Sequence, residues 1–162
     1  ALTGHLVLAT IHTNIAIEAI GRMIDMGAED YLISGVIVGI MAQRLVRRID
    51  QTTAKPFAYS REELEAIGIT AADMNGARLV KGEPGESNNG TGFKGRVGLY
   101  ELVVGDRAFK QAVARRAPYE ELLKIARDQG FRSMMEDGKE KVLKGLTTPE
   151  DVARAVLTQA LE

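Results

Sequence analysis

Ala1-Leu-Thr-Gly-His5-Leu-Val-Leu-Ala-Thr10-Ile-His-Thr-Asn14 is the stretch on which the fold turns. Its His5 to Ile11 run mixes Leu, Val, Ala and Ile as a strand buried on both faces would, and such strands belong to parallel sheets. Asn14 is a good helix N-cap. Ala16, Ile17, Ile20, Met23 and Ile24 then recur at helical spacing until Gly27, which is placed to stop the helix. Strand, short turn and helix make half of a βαβ unit, so the expected fold class is α/β.

The same stretch holds both histidines of the chain. Extended at about 3.3 Å per residue, it separates His5 from His12 by some 23 Å, and an odd spacing points them to opposite faces. They cannot share a metal ion. His12 falls at the carboxyl end of its strand, where open α/β sheets bind ligands, and Thr13 and Asn14 lead into a helix N-terminus suited to phosphate. On these residues alone, two satisfied structural histidines are the favoured reading, with a functional His12 as the alternative.

Further along, Ser34 to Arg48 begins with small residues, Gly35, Val36 and Gly39, and ends in Arg44, Arg47 and Arg48; it reads as a closely packed helix. Asp50 to Tyr59 breaks the apolar rhythm and marks a boundary. Ser60 and Glu63 form a capping-box signature for a short helix ended by Gly68, and Thr70 to Asp73 repeats the signal. The glycine-rich stretch Gly82 to Gly98 leads into a strand over Val97 to Val104, with a hairpin expected there. Beyond it, Asp106, Pro118, Ser133 and Thr148 each open a helix, which predicts a C-terminal helical bundle. Met134, Met135, Phe109, Tyr119 and Phe131 sit at spacings expected of its core.

Composition bounds the function. The 162 residues are 45% apolar and 27% charged, enough for a conventional core. Lys and Arg number 21 against 22 Asp and Glu, a net charge of −1 that offers no bulk drive towards nucleic acid or anionic lipid. The absence of cysteine excludes disulfides, a thiol nucleophile and thiolate-ligated metal. The uncharged run Ala1 to Ile17 is interrupted by Thr3, His5, Thr10, His12, Thr13 and Asn14, and Tyr31 to Gln43 is too short for a span of about 20 residues, so a cytoplasmic protein is expected. The opening Ala-Leu-Thr-Gly, without an initiator Met, leads one to expect a piece of a longer chain.

Leu2 to Asn14 resembles the histidine box of the GspE/PilB-type secretion ATPases, the hexameric motors of type II secretion and type IV pilus assembly. The resemblance continues through Arg22-Met-Ile-Asp-Met-Gly27, Met41-Ala-Gln-Arg-Leu-Val-Arg47, Thr91-Gly-Phe-Lys-Gly-Arg-Val-Gly-Leu-Tyr-Glu101, and Asp137-Gly to Gly145-Leu-Thr-Thr-Pro-Glu-Asp151, in family order over the whole chain. The motif ending in Tyr100-Glu101 looks like the assembly and export branch rather than the retraction motors.

The resemblance implies that residues 1–49 are the C-terminal part of a RecA-like ATPase core. Residues 50–104 would be a linker and glycine-rich hairpin region, the cysteine-less counterpart of a zinc-binding loop, and 105–162 a helical bundle. It further implies ATP and Mg²⁺ as cofactors of the full-length protein, a homo-hexamer, and inner-membrane platform proteins as partners, with no nucleic acid. His12 takes the place of the γ-phosphate sensor and His5 that of the weaker histidine of the box. Thr13 and Asn14 would shape the site, and Arg44, Arg47 and Arg48 would meet nucleotide or a neighbouring subunit, with a solvated basic edge as the open alternative.

A phosphate loop needs a glycine-rich turn ending in Gly-Lys-Thr or Gly-Lys-Ser. Neither tripeptide occurs, so the chain alone is expected to be inactive as an ATPase. Family members often carry two Cys-x-x-Cys pairs; the matching positions here are Asp50, Thr53, Gly85 and Asn88, which predicts no zinc and a mobile Gly82 to Gly90 loop. For Tyr100 and Glu101, reach to a neighbouring subunit is an open alternative to a structural role. The competing function is a non-catalytic docking module for the membrane platform or for regulators.

Overall fold

A strand persists only where a neighbour pairs its N–H and C=O groups, and that requirement divides this chain. The computed structural model describes residues 1–157. Two compact units are formed, one from Ala1–Ala42 with Glu101–Arg132, the other from Gln43–Tyr100 with the chain from Ser133 onward. Helix and strand are mixed. In order come α1 (Glu18–Asp25), α2 (Asp30–Val36), β1 (Gly39–Ile49), β2 (Ala54–Pro56), α3 (Arg61–Glu65), β3 (Val80–Gly82), β4 (Phe93–Val104), α4 (Arg107–Ala114), α5 (Tyr119–Asp128), α6 (Met134–Leu143) and α7 (Pro149–Leu157). Strand β1 pairs with β4, and β2 with β3. Residues 158–162 of the expected bundle lie outside the described part of the chain.

In the first unit the strand expected at His5 to Ile11 is not formed. Residues 5–13 carry no regular structure, and Leu6, Val7 and Leu8 are solvent-exposed. No described strand borders them, so an apolar run with strand character has nothing to pair with. Helix α1 accordingly starts at Glu18, not directly after Asn14, and Gly27 ends it at φ +95° as expected. Its inner residues Ala16, Ile17 and Ile20, with Ile33 of α2, Val103 of β4, Phe109, Ala112 and Val113 of α4, and Leu122 and Ala126 of α5, form the core. Asp106 caps α4 by accepting from the Phe109 N–H at 2.8 Å, and Gly130 follows α5 at φ +89°.

The helix expected over Ser34 to Arg48 is corrected to the end of α2 followed by β1. Buried Ala42, Val46 and Ile49 are spaced four and three apart, which mimics a helical face. The alternation of inward Ile40, Ala42, Arg44 and Val46 with outward Gly39, Met41, Gln43 and Leu45 has period two, and it is what the backbone follows.

The second unit is tightly self-bonded. Ser60 and Ser133 make the expected capping boxes, each hydroxyl accepting from the N–H three residues on while the Glu63 and Glu136 carboxylates accept from the serine N–H groups. Ile49, Ile67, Ile69, Val80, Leu99, Val142 and Val152 are fully buried. Helices α6 and α7 approach closely at Gly138, where a Cβ would fall 2.5 Å from Val152 Cγ1. The expected local hairpin in Gly82 to Val104 is replaced by two separate pairings, β3 with β2 and β4 with β1. The strand pair β2 and β3 is antiparallel, with Ala54 opposite Gly82 and Pro56 opposite Val80. Among the described residues no helix is long and apolar enough to cross a membrane.

Candidate functional site

The histidine-bearing segment reaches the folded core only at its end. His5 and His12 are both exposed, and the Thr3 hydroxyl lies 3.3 Å from His5 Nδ1. Thr13 is half-buried, Asn14 exposed, and a turn over residues 14–17 brings the chain into the core at Ala16. The Ala16 N–H precedes α1 and has no place in its hydrogen-bond ladder. It donates instead to Glu101 Oε1 at 2.5 Å, and Glu101 is only 3% exposed. The N-cap residue of α1, Ile17, supplies no side-chain cap. Glu101 therefore faces inward, and the alternative that it reaches out to a neighbouring subunit is corrected. The signal was present in the sequence: Leu99, Glu101 and Val103 share one face of a strand by parity, and both apolar residues are core. Beside this pair, the Tyr119 hydroxyl is pushed above its ordinary range by burial first and then by the negative charges of Glu101, Glu18 and Glu120.

The arginines stand in the second unit. Asp151, buried on α7, accepts from Arg47 Nε at 2.9 Å, from an Arg47 terminal nitrogen at 2.6 Å and from the Arg47 backbone N–H at 3.2 Å. The guanidinium also lies 4.0 Å from the centre of the Phe93 ring, and the Thr147 hydroxyl donates to the Arg47 carbonyl. A planar fork held on two edges and one face is a bidentate pair with a cation–π contact. Arg44 Nη1 donates to the Gln43 carbonyl, while Arg48 is exposed.

The four positions expected to lack zinc come together. Asn88 Nδ2 donates to Asp50 Oδ2 at 3.1 Å, to Thr53 Oγ1 at 3.2 Å and to the Glu83 carbonyl at 2.9 Å, while Asn88 Oδ1 accepts from the Gly85 and Gly92 N–H groups at 3.0 Å each. Asp50 also accepts from the hydroxyls of Thr52 at 2.7 Å and Ser87 at 2.8 Å and from the Thr52 N–H at 3.0 Å. The Thr52 and Ser87 hydroxyls hold its carboxyl well below the usual carboxylate range. These atoms do not fit a structural zinc, because the lone pairs a cation would need are filled by hydrogen-bond donors, and among the described residues no cluster of three or more His, Asp or Glu could hold a metal. The expected mobility of Gly82 to Gly90 is corrected too: Asn88 is buried and every turn of the loop is bonded.

The family motif Thr91 to Glu101 closes on the same framework. The Thr91 hydroxyl donates to the Asn88 carbonyl at 2.7 Å. The Tyr100 ring folds over Gly98, where a Cβ would lie 2.3 Å from ring atoms. The Tyr100 N–H donates to Asp137 Oδ2 at 2.8 Å, the first residue of the Asp137-Gly motif, and Lys141 bonds both Asp137 and the Gly98 carbonyl.

These linked motifs mark the class: the profile of the family described as "Type II/IV secretion system protein" matches residues 1–154, and the chain belongs to that family. Its relatives include the Type IV pilus assembly ATPase PilB of Thermus thermophilus, 43% identical over 94% of this chain and 17% of its own length. The Type II secretion system protein E of Xanthomonas campestris is 44% identical over 95% of this chain and 27% of its own, and that of Pseudomonas aeruginosa 40% identical over 95% and 30%. The chain thus spans less than a third of the relatives it matches.

Proposed function

We propose that this sequence is the histidine-box portion and C-terminal helical region of a cytoplasmic ATPase that powers type II secretion or type IV pilus assembly. Residues 1–49 close a RecA-like core, 50–104 form the clasped linker and glycine-rich region, and 105–162 the helical region. The remainder of the longer protein supplies the phosphate loop, the carboxylate that holds Mg²⁺ and the sheet neighbours that His5 to Ile11 lacks. Working as a homo-hexamer peripheral to the inner membrane, the protein passes the energy of ATP hydrolysis to platform proteins. The observation that carries this reading is the polar His12-Thr13-Asn14 segment, with His12 and Asn14 exposed, leading into the turn before α1, in a chain about 40% identical along its length to a named pilus assembly ATPase and to type II secretion E proteins.

In this reading ATP with Mg²⁺ supplies the hydrolysable phosphoanhydride. His12 donates an imidazole N–H to a terminal phosphate oxygen and loses that bond on hydrolysis, so nucleotide state is passed to the backbone at α1. Thr13 and Asn14 complete the polar turn. His5, at the far end of the run, supports the strand. Arg44 and Arg48 act at nucleotide or at a subunit boundary; Arg47, already engaged by Asp151, contributes through that pair.

In the full-length protein, His12→Ala should lower ATP turnover by about 2–4 kcal/mol of transition-state stabilisation, as removal of one preorganised donor does. Nucleotide affinity, which rests on the phosphate loop and Mg²⁺, should move by less than about tenfold. His5→Ala should lower turnover less. Steady-state turnover with parallel nucleotide-binding titrations checks this; unchanged turnover in His12→Ala would refute the sensor.

A further inference from the structure

We propose that Glu101 is a positioning residue, whose buried carboxylate holds the main chain at Ala16 and thereby fixes the turn over residues 14–17 that follows His12 and Thr13. The inference rests on the role given to His12 above and adds to it the group that sets where His12 stands.

The geometry points this way for three reasons. Residues 5–13 carry no regular structure, and Ala16 is the first buried residue along the chain. The bond at that point is Ala16 N–H to Glu101 Oε1, across 85 positions of sequence. A helix start that needs only satisfaction of its free N–H groups is served by a local Ser, Thr, Asp or Asn at the N-cap. Here the N-cap is Ile17, without a side-chain cap, and the Ala16 N–H lies ahead of it, where no cap of α1 would serve it; strand β4 provides its acceptor.

The choice of a carboxylate is costly. A polar side chain at 3% exposure gives up much of its hydration, which a polar group at the surface would keep. What the distant side chain adds is position: its accepting oxygen ties the main chain ahead of α1 to strand β4. It fixes the backbone two residues after Asn14 and four after His12. A histidine that must reach a phosphate oxygen works within a few tenths of an ångström, so the anchor of its turn bears on the chemical step without touching nucleotide.

The test is a double-mutant cycle in the full-length protein, reading ATP turnover, ATP affinity and the thermal midpoint for Glu101→Ala, His12→Ala and the pair. The expected result is at least a tenfold loss of turnover in Glu101→Ala with ATP affinity within threefold of the parent. Placed on His12→Ala, the same change should cost less than twofold further, because its effect runs through a side chain already gone. Glu101→Gln, which keeps an oxygen to accept from Ala16, should recover turnover to within about threefold of the parent. Additive losses would mean a merely structural residue, and undiminished turnover in Glu101→Ala would mean no role; either overturns the proposal while leaving His12 in place. Where Glu101→Ala does not fold, Glu101→Asp, which withdraws the carboxylate by one methylene, goes through the same cycle under the same criteria. If His12→Ala itself keeps full turnover, the sensor reading and this one fall together.

Discussion

Residues 1–14 and the clasp around Asp50 and Asn88 are both loop-like and rich in polar groups, yet they behave oppositely. In the clasp each polar atom meets a partner within the chain: Asn88 alone spans Asp50, Thr53, Glu83, Gly85 and Gly92. In the histidine segment apolar Leu6, Val7 and Leu8 stand in solvent, and the fold takes hold only at Ala16. The difference teaches that one region is held by its own side chains, while the other has strand character and no strand to join.

Removing a partner should therefore hurt only one of them. Asn88→Ala leaves the Gly85 and Gly92 N–H groups without their acceptor and should destabilise the chain by on the order of 2–4 kcal/mol, given the cost of buried groups left unbonded. Leu8→Ser, at a side chain 88% exposed, should shift stability by no more than about 0.5 kcal/mol. Urea denaturation of the two variants checks the contrast, and comparable losses would break it.

A smaller effect sharpens it through pH. The Asp50 carboxyl titrates lower in the folded chain than its ordinary 3.8, chiefly because the Thr52 and Ser87 hydroxyls bond its ionised form. Its contribution is then complete above about pH 4 and is lost as pH falls through the lower folded value. Asp73, held at about 2 mainly by Lys139, shares that window. Asp50→Asn should therefore flatten, without abolishing, the loss of stability below about pH 4, whereas substitutions within residues 1–14 should leave the acid limb unchanged. Thermal midpoints measured from pH 7 downward give both slopes.

Much of the local punctuation of the chain was legible. The capping boxes at Ser60 and Ser133 and the glycine stops at 27, 68, 130 and 145 depend on residues within a few positions, and they form as their local chemistry dictates. The clasp was not legible, because Asp50 and Asn88 meet across 38 positions and neither type announces a buried partner. Strand β1 was misread because small Gly35, Val36 and Gly39 suggest a closely packed helix, while the two-residue alternation from Gly39 to Val46 is what the backbone follows. The sequence leaves Glu101 open to a neighbouring subunit, although its strand parity places it with Leu99 and Val103. The run His5 to Ile11 was read correctly for its pattern and wrongly for its state, since pattern specifies a strand only where a neighbour exists.

Amide hydrogen exchange along the backbone tests this most directly, measured on the 162-residue chain and on the full-length protein. In the chain, the amides of residues 6–13 should exchange as in an unfolded peptide, while those of 88–101 should be slowed by at least about a hundredfold. In the full-length protein, 6–13 should become protected as well, with 88–101 unchanged. Protection of 6–13 in the chain alone, or its absence in the full-length protein, would contradict the account.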